Sequence, residues 1–528
     1  MTSGGSPATV GAEGERRLNL QTLQGVASSD SVTLPSVDPR ALTIGMVHLG
    51  IGAFHRAHLA VCTEDAARAA GETRWGIFGV TGRSDAVVRQ LAPQDCLYGV
   101  LFKGRDSVHL RLVASIRDVA WPGDRSEDVL DALASPEVHL ATLTLTEKGY
   151  SRGADGRVDL DSVDVQHDLS LVARELAADA AGAGDTAGGG AGEACRTPMG
   201  LLVRGLTRRF RAGGAPFTVV SCDNLASNGQ VTRDLVYELA SALPAHDGLM
   251  RWLDSSVTFP STMVDRIAPA TTAADRAEAL GMLGLTDSAL VVAEPFQQWI
   301  IEDNFAGERP RWELAGAILT DDVAPYEAVK LRILNATHSF LAWLGGLLGY
   351  ATIAEAIADP TVRALSLQLI NEDVLPTLTA PARMNLEAYR DSVVDRFANP
   401  NLAHTTAQVG ADGSQKLPNR VVGTVSDRLN AGATPRHLAL LVAAWIAHIA
   451  RAGDPGSSDL EDPMAARLTG AVPSTTALNA DRGAAVRAIL GMTSIFPAEV
   501  GRSQAFIDAV IGQLDVVNEL TTQHQELP

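Results

Sequence analysis

The hydrophobic pattern of the chain changes character near residue 320. Before that point, short apolar runs alternate with amphipathic stretches of helical period; the runs include IGMVHL at 44–49, WGIFGV at 75–80 and PFTVVS at 216–221. After it, strand-like runs nearly vanish and helical periodicity dominates. Strands that alternate with helices predict an open parallel sheet. The predicted fold class is therefore α/β, with a mainly α-helical C-terminal domain.

Domain boundaries follow from the same pattern. Residues 1–40 are polar and rich in Ser, Gly and Pro, which predicts a flexible N-terminal arm. We expect an α/β domain over residues 41–305 and a mainly helical substrate and catalytic domain over 306–528. A Gly/Ala-rich stretch at about 180–196 offers few side chains for packing, so it is predicted to be a flexible surface insertion in the first domain.

Composition narrows the class of protein. A chain of 528 residues, 46% hydrophobic and 20% charged, is globular and long enough for two or three domains. The net charge of -19 argues against nucleic acid and anionic membrane surfaces as partners. The four cysteines form no CxxC pair and no zinc spacing, which predicts reduced thiols, a cytoplasmic location and no metal site. The apolar stretches beginning at Ser339 and His437 are predicted to be buried helices rather than membrane spans.

A glycine-rich turn follows the first strand. Gly50 and Gly52 occupy the first two positions of a G-x-G-x-x-G fingerprint, and His55 stands in the third. The first two glycines tighten the turn and let backbone N–H groups approach a pyrophosphate, whereas the third mainly serves helix–strand packing. We therefore expect a Rossmann-like domain in which the cofactor is bound by Gly50, Ile51, Gly52, Ala53 and Phe54.

The second strand ends in TGRSD, which bears on the choice of cofactor. In a dinucleotide fold, an acidic residue after this strand bonds the ribose 2′-hydroxyl and disfavours a 2′-phosphate. Asp85 is placed for that role, although Arg83 beside it would instead favour a phosphate. The acidic residue favours NAD.

The segment VKLRILNATH at 329–338 places polar side chains inside an apolar helical run. At 100° per residue, Glu327, Lys330, Asn335 and His338 share an arc of about 140° with leucines, so they do not form a solvated face. A desolvated lysine has a lowered pKa and can serve as a general base near neutral pH. An asparagine can bind a developing alkoxide, and a histidine can hold a hydroxyl group. The set predicts alcohol/carbonyl interconversion, with a nicotinamide taking the hydride.

Several stretches extend this interpretation to a family. The chain resembles the long-chain polyol dehydrogenases, which include mannitol 2-dehydrogenases and fructuronate reductases (mannonate oxidoreductases). The likeness runs from about residue 45 to 420 and is carried, in matching order, by HLGIGAFHRAH, LTLTEKGY, SCDNLASNG, FPSTMVDRIAP, EPFQQWIIEDNF, YEAVKLRILNATHSFLAWLG and ADGSQKLPNR.

The resemblance implies a zinc-independent mechanism. Lys330 would be the general base, and Asn224 and Asn335 would bind the substrate C2 oxygen and its transient alkoxide. His338 would orient the substrate, and Glu327 would help the proton to leave. The implied activity is an NAD-dependent oxidation or reduction at C2 of a polyol or a sugar acid.

Two further residues are implied to contact substrate hydroxyl groups, Asp265 in MVDRI and Lys416 in DGSQK. Each also has a plain structural interpretation. Asp265 with Arg266 is compatible with a surface pair, and Lys416 with a solvated turn. Asn224, at the end of a strand, is compatible with a turn cap.

One departure concerns the substrate. The mannitol branch of the family carries an arginine in the helix before the DGS turn, where this chain has Gln408, and the surrounding stretch looks more like the hexuronate-reducing branch. Fructuronate/mannonate and fructose/mannitol are both retained, with arabinitol and a phosphorylated mannitol as further options. The alternatives in other classes are a non-catalytic dinucleotide-binding protein and a metal-dependent alcohol dehydrogenase. A monomer or weak oligomer is expected from the resemblance.

Overall fold

The chain divides into two compact units, Met1–Val323 and Ala324–Pro528. The computed structural model describes residues 16–153, 156–180, 192–402 and 404–525. The division lies after the predicted boundary at 305, because strand Ile318–Thr320 pairs with strand Gln298–Glu302 and so belongs to the first unit. The strands of the first unit are β1 (Val32–Thr33), β2 (Ile44–Leu49), β3 (Gly76–Val80), β4 (Tyr98–Lys103), β5 (Val108–Val113), β6 (Ile116–Ala120), β7 (Leu140–Leu143), β8 (Phe217–Ser221), β9 (Val257–Thr258), β10 (Thr262–Asp265), β11 (Val291–Ala293), β12 (Gln298–Glu302) and β13 (Ile318–Thr320).

The helices of the first unit lie between these strands, in the alternation that the sequence predicts. They are α1 (Leu20–Leu23), α2 (Ala53–Ala57), α3 (Leu59–Ala70), α4 (Ala86–Leu91), α5 (Pro122–Ala134), α6 (Val163–Ala180), α7 (Pro198–Arg211), α8 (Asn228–Ser241), α9 (Asp247–Ser256) and α10 (Ala273–Leu283).

The main sheet of the first unit has six parallel strands in the order β6-β3-β2-β7-β8-β9. Numbered along the chain, this is the order 3-2-1-4-5-6 of a doubly wound dinucleotide-binding sheet. The inner strands β2, β3, β7 and β8 are buried on both faces, which explains their continuous apolar runs. The prediction of a Rossmann-like α/β domain is confirmed. The order reverses between β2 and β7, and ligands of such sheets bind at the carboxyl ends of the strands beside this switch point.

The sequence pattern did not reveal two smaller sheets of the same unit. One has the order β1-β5-β4-β11 and the other the order β10-β12-β13. The first sheet corrects the prediction of a flexible arm over residues 1–40. Within the described part, residues 16–40, β1 pairs with β5, and Leu18 and Val32 are buried in the core. Residues 1–15 lie outside the described residues.

The predicted insertion at about 180–196 falls largely on residues 181–191, which lie outside the described residues. Its last part is ordered by polar contacts. The Glu193 carboxylate accepts from Arg174 at 2.7 Å, and its backbone carbonyl accepts from Arg204 at 2.6 Å. The prediction of flexibility is therefore wrong for residues 193–196.

The second unit is helical, and apart from an isolated bridge between Thr352 and Thr405 its described residues contain no strand. The α-helices are α11 (Ala324–Val329), α12 (Ala336–Leu348), α13 (Ile353–Ala358), α14 (Pro360–Gln368), α15 (Leu386–Phe397), α16 (Thr406–Gly410), α17 (Gly413–Leu417), α18 (Gly423–Asn430), α19 (Arg436–Ala452), α20 (Ala465–Ala471), α21 (Thr475–Ala480), α22 (Arg482–Leu490), α23 (Ala498–Gly501) and α24 (Gln504–Gln525). Three π-helical turns interrupt the series, at Lys330–Asn335, Leu369–Val374 and Pro418–Val422.

The two apolar stretches of the second unit form buried helices, as predicted. Helix α19 packs on α12 and α24, with Trp343 and Trp445 in ring contact at 6.1 Å. Its N-terminus is capped from another element. The Asp373 carboxylate accepts from the amides of His437 and Leu438, both at 2.8 Å. Among the described helices, we find no segment long and apolar enough to cross a membrane.

Candidate active site

The glycine turn after β2 is held by contacts that require Gly50. Its φ is 98°, and a Cβ there would lie 2.1 Å from the carbonyl oxygen of Thr144. The Thr144 hydroxyl donates to the Gly50 carbonyl at 2.7 Å. Gly52 differs, since the nearest atom to an added Cβ is 3.7 Å away. Gly50 therefore shapes the turn, and Gly52 leaves space above it into which a ligand can approach the backbone.

His55, in the third position of the fingerprint, is buried and stacks on His48 of β2 with ring centroids 3.4 Å apart. The close approach that a third glycine normally permits occurs one strand away instead, where a Cβ on Gly79 would meet the Ile51 side chain at 2.1 Å. The helix after the turn ends at Ala57, and a second helix begins at Leu59. Ala53 and Phe54 lie in its first turn, where backbone N–H groups have no intrahelical acceptor.

A cavity of about 740 Å³ lies at the carboxyl ends of β2, β3 and β7. This is the switch point of the sheet, where a dinucleotide is expected to bind. Its lining includes Gly50, Ile51, Gly52, Thr81, Gly82, Arg83, Ser84, Thr144, Leu145, Thr146, Gly149, Arg152 and Arg196. The volume, the close backbone approach at Gly52 and the polar walls fit an NAD-sized ligand.

Asp85 is engaged in a different contact from the one predicted. Its carboxylate accepts from Arg89 at 2.5 Å, on the next turn of α4. The cavity lining includes its neighbours Arg83 and Ser84 but not Asp85. Within the described part of the chain, Arg83 has no hydrogen-bonding or ionic partner. Asp85 would have to release Arg89 to bond a ribose, so its role in cofactor choice stays a prediction.

The two predicted substrate residues of the first unit differ in exposure. Asn224 follows β8 and is exposed, whereas Asp265 ends β10 and is buried, opposite Gln298 of β12. The surface pair considered for Asp265 and Arg266 is excluded by burial. The Arg266 guanidinium is directed inward, where it donates to the carbonyls of Ala57 and Phe296.

Asp223, the residue before Asn224, was missed by the sequence analysis. Its carboxylate accepts from the Leu145 amide at 2.6 Å and from the Tyr150 hydroxyl at 2.5 Å. Burial raises its pKa to about 7, although these hydrogen bonds oppose the shift by favouring the carboxylate. The signal was present in SCDN, but nothing in the sequence indicated that the aspartate faces inward.

The predicted polar helix contains a π turn. Lys330 and Asn335 are its first and last residues, and the amide of Ala336 bonds the Leu331 carbonyl five residues back. Both side chains are buried, with 7% and 8% of their surfaces exposed, while Glu327 in the preceding α-helical turn is half-buried. The angular spacing expected for a continuous α-helix therefore does not hold between Lys330 and His338. Single π turns inside α-helices are frequent at functional sites.

His338 is half-buried, and its Nε2 atom has no hydrogen-bonding partner among the described residues. Its ring stacks on Phe397 at 4.9 Å and contacts the His404 ring at 4.8 Å. Burial lowers the pKa of His338 well below its usual value, and the neighbouring His404, Arg420, Lys416 and Arg396 lower it further. The imidazole is therefore neutral near pH 7, with one nitrogen as donor and the other as acceptor.

Lys416 lies on the short helix α17 rather than in the solvated turn considered from the sequence. Its ammonium group donates to the carbonyls of Val409 and Ala411, at 3.0 and 2.6 Å. Four residues later, in the π turn Pro418–Val422, Arg420 donates to the Asn335 carbonyl at 3.3 Å and to the Ser339 hydroxyl at 2.9 Å. The second unit thus brings Lys330, Asn335 and His338 onto one helical segment, with Arg420 against it.

No group of three His, Cys, Asp or Glu side chains suited to a metal ion occurs among residues 16–153, 156–180, 192–402 and 404–525. Of the predicted catalytic residues, the structure describes the Lys330 amine, the amides of Asn224 and Asn335, and the neutral imidazole of His338, and the first unit contains the dinucleotide-sized cavity.

A doubly wound parallel sheet with a cavity at its switch point, followed by a helical unit, defines a Rossmann-type two-domain protein. Comparison with known families gives the particular group. Residues 44–314 match the mannitol dehydrogenase Rossmann domain, and residues 322–518 match the mannitol dehydrogenase C-terminal domain. The chain belongs to the mannitol dehydrogenase family.

Individual relatives agree with this assignment. The chain is 38% identical to the D-mannonate oxidoreductase of Escherichia coli (strain K12) over 491 residues, which cover 92% of this chain and 95% of that protein. It is 36% identical to a mannitol 2-dehydrogenase of Cereibacter sphaeroides, over 79% of this chain and 83% of the relative. Its structure is similar to that of Pseudomonas fluorescens mannitol 2-dehydrogenase in ternary complex with NAD and D-mannitol, with a TM-score of 0.81, 33% identity, and coverage of 97% of this chain and 100% of that one.

Proposed function

We propose that this protein is an NAD-dependent oxidoreductase that interconverts a secondary alcohol and a ketone at C2 of a hexitol or a hexonate, with Lys330 as the general base. The observation that carries the proposal is the π turn Lys330–Asn335. It holds the Lys330 amine and the Asn335 amide in buried positions, eight and three residues before the neutral imidazole of His338. Membership of the mannitol dehydrogenase family supports the same chemistry.

The reaction in the oxidative direction needs one base and one hydride acceptor. The C2 hydroxyl gives its proton to the neutral amine of Lys330, the C2 hydrogen leaves with its electron pair, and the carbon–oxygen double bond forms. NAD⁺, when bound, supplies the hydride acceptor. NAD⁺ would bind in the cavity above Gly52, where the backbone leaves space for the close approach of its pyrophosphate. NAD dependence is further supported by the related mannitol 2-dehydrogenase, whose complex contains NAD.

The remaining polar groups orient the substrate. The amides of Asn224 and Asn335 would donate to the C2 oxygen and stabilise its transient alkoxide. His338, held neutral by its surroundings, can accept from one substrate hydroxyl or donate to it. Glu327, half-buried one turn before Lys330, would receive the proton on its way to solvent.

Asp265 and Lys416 would contact the other hydroxyl groups. Lys416 already directs two of its N–H groups at backbone carbonyls, which fixes the position of its ammonium group. A hydroxyl oxygen that accepts from this ammonium would meet a donor of defined geometry.

One observation favours a hexonate over a hexitol. The charges of Arg396, Lys416 and Arg420 all act on His338, so a substrate bound beside this imidazole meets a positive potential. A carboxylate is attracted by that potential, and a neutral polyol is not. The similarity to D-mannonate oxidoreductase and the glutamine at position 408 support the same choice.

The test is a reduction screen with matched substrate pairs. Purified protein is assayed with NADH and with NADPH against fructuronate, tagaturonate, fructose and fructose 6-phosphate. We expect the highest kcat/KM with NADH and a hexuronate, and a decline of that value with rising ionic strength. Turnover of fructose alone would favour the hexitol, and turnover of fructose 6-phosphate alone would favour a polyol-phosphate dehydrogenase.

The same screen addresses the remaining alternatives. A folded protein that binds NADH but turns over none of these compounds would favour a non-catalytic dinucleotide-binding protein. Activity lost on chelation and restored by zinc would favour a metal-dependent alcohol dehydrogenase over the lysine mechanism.

A further inference from the structure

The carboxylate of Asp223 joins two ends of one loop in the first unit. This loop follows β7, runs from Thr144 to Tyr150, and forms part of the wall of the dinucleotide-sized cavity through Thr144, Leu145, Thr146 and Gly149. Asp223 Oδ1 accepts from the Leu145 amide at the start of the loop at 2.6 Å. Asp223 Oδ2 accepts from the Tyr150 hydroxyl at its end at 2.5 Å.

Ser221 of strand β8 adds hydrogen bonds to this contact. Tyr150 is buried, and its hydroxyl lies 2.8 Å from the hydroxyl of Ser221, the last residue of β8. The Ser221 hydroxyl also reaches Asp223 Oδ2, at 3.4 Å. Backbone pairing continues one residue past the strands, because the Cys222 amide donates to the Leu143 carbonyl at 2.9 Å. The carboxylate is therefore fixed relative to the neighbouring strands β7 and β8 of the main sheet.

The backbone of Asp223 is held from a different direction. The Asn228 side-chain amide donates to the Asp223 carbonyl at 3.0 Å and to the Thr262 carbonyl at 2.9 Å. The Thr262 amide donates in return to Asn228 Oδ1, at 2.9 Å. Thr262 begins β10, the strand that ends at Asp265. Through Asp223 and Asn228, the segment 223–228 thus connects the cavity wall to Asn224 and to the strand that carries Asp265.

We propose that Asp223 is a positioning residue that fixes the cavity wall and the adjacent Asn224 relative to each other through its hydrogen bonds to Leu145 and Tyr150. This inference rests on the proposed function, in which the cavity takes the dinucleotide and Asn224 binds the C2 oxygen. Asp223 touches neither ligand in this scheme. Its loss would affect the cofactor through the loop and turnover through Asn224.

A conservative variant at Asp223 can keep both hydrogen bonds of the side chain while it removes the negative charge. In Asp223→Asn, the side-chain oxygen can still accept from the Leu145 amide. The new NH₂ group can donate to the Tyr150 oxygen, since the tyrosine hydroxyl is free to turn and donate to Ser221 instead. Asp223→Ala removes both contacts, and Tyr150→Phe removes only the contact at the end of the loop.

The experiment measures NADH binding by calorimetry and steady-state turnover separately in wild-type protein and the three variants. We expect Asp223→Ala to bind NADH about tenfold more weakly and to lose a further tenfold or more in kcat, the scale of losing a buried hydrogen-bonding group. Asp223→Asn should restore both values to within a few-fold of wild type. Tyr150→Phe should weaken NADH binding with little change in kcat.

The outcomes that overturn the inference are distinct from those that overturn the function. Folded Asp223→Ala with wild-type NADH affinity and kcat would overturn it, as would Asp223→Asn as impaired as Asp223→Ala. If Asp223→Ala does not fold, the NADH affinities and kcat values of Tyr150→Phe and Asp223→Asn test the inference. Tyr150→Phe with unchanged NADH affinity would then overturn the inference. Absence of NADH binding by the wild-type protein would instead contradict the proposed function.

Discussion

The imidazole rings of His48 and His55 stack face to face beneath the glycine turn, with centroids 3.4 Å apart. Hydrogen bonds fix the state of one ring. Because the Thr144 hydroxyl donates to the Gly50 carbonyl, His48 Nε2 must donate to Thr144, at 2.9 Å, and Nδ1 accepts from Thr142, at 2.7 Å. Neither ring nitrogen of His55 has a partner among the described residues. The stack therefore consists of two neutral imidazoles, one satisfied and one not.

This stack leads to a prediction about stability and pH. Burial lowers the pKa of His48 to about 3, and burial with neighbouring positive charge lowers that of His55 well below 6.5. As the pH falls below about 6.5, the unfolded chain binds protons that the folded chain does not, so folding is progressively destabilised. We expect His55→Phe, which keeps a stacking ring and removes the unsatisfied nitrogens, to raise the free energy of unfolding by about 1 kcal/mol.

Urea denaturation at pH 5.0 and 7.5 checks this prediction. The gain from His55→Phe should be larger at pH 5.0, because the variant no longer has this proton to bind on unfolding. His448→Phe is a comparison elsewhere in the protein, since burial also lowers the pKa of His448, to about 4. A gain for His55→Phe that does not depend on pH would contradict the assignment of a neutral buried imidazole.

A second prediction concerns Lys330. Replacement by alanine should lower turnover by roughly 10²–10⁴-fold, the usual effect of losing a general base. NADH affinity should be retained, because the glycine turn and cavity belong to the first unit. The wild-type rate of oxidation should rise with pH through one ionisation, and Lys330→Ala should lose that dependence.

Arg332 offers a matched control on the same π turn. Its guanidinium donates to Asp427 at 2.5 Å, so Arg332→Met disturbs the turn without removing the proposed base. This variant should lose stability but keep its pH profile. Near-normal turnover by folded Lys330→Ala, with the wild-type pH profile, would rule out the lysine mechanism.

A third prediction separates the two glycines of the turn. Gly50→Ala should destabilise the fold by about 1–3 kcal/mol, because its φ is positive and its Cβ would meet the Thr144 carbonyl. Gly52→Ala has space and an ordinary φ of -87°, so the free energy of unfolding should hardly change. It should nevertheless weaken NADH binding by occupying the path of the ligand. Unchanged NADH affinity in Gly52→Ala would place the cofactor elsewhere.

A fourth prediction addresses cofactor choice. Asp85→Ser should reduce the preference for NADH over NADPH if the carboxylate bonds the ribose. Because Asp85 is paired with Arg89, Arg89→Ala should then strengthen NADH binding by freeing the carboxylate. Fluorescence titration with both cofactors measures each affinity. If Asp85→Ser leaves the ratio of the two affinities unchanged, then Arg83→Ala, which removes the arginine in the cavity wall, is the next variant to compare.

The sequence predicted the Rossmann-like domain well because parallel strands buried on both faces leave continuous apolar runs. Strands β1 and β11 of a small sheet escaped notice because they have only two and three residues and are made by long-range pairing. The π turn was not predicted either, since its residues do not differ in type from those of an α-helix. For the same reason, the arc calculated for Lys330 and His338 was wrong.

Candidate residues were easier to find from sequence than their partners. Lys330 stands out because only four of the 43 basic residues are lysines, and lysine, unlike arginine, can lose its proton near neutral pH. Arg89 as the partner of Asp85, and Tyr150 as the partner of Asp223, depend on side-chain directions that the tertiary structure decides. The inward direction of the Arg266 side chain likewise depends on the tertiary structure and could not be predicted from the sequence.

The π turn at Lys330–Asn335 also determines which kind of genetic change this region can accept. Relative to a continuous α-helix, it contains one surplus residue, and each residue of an α-helix accounts for about 100° of rotation. Deletion of a single residue there would leave helices α11 and α12 intact as helices but would rotate the Lys330 side chain by about 100° relative to His338. Substitutions at these positions alter one side chain at a time. A change of one residue in length would alter the phase of every polar group on one side of it, so the length of this turn should be kept more strictly than the identity of most residues within it.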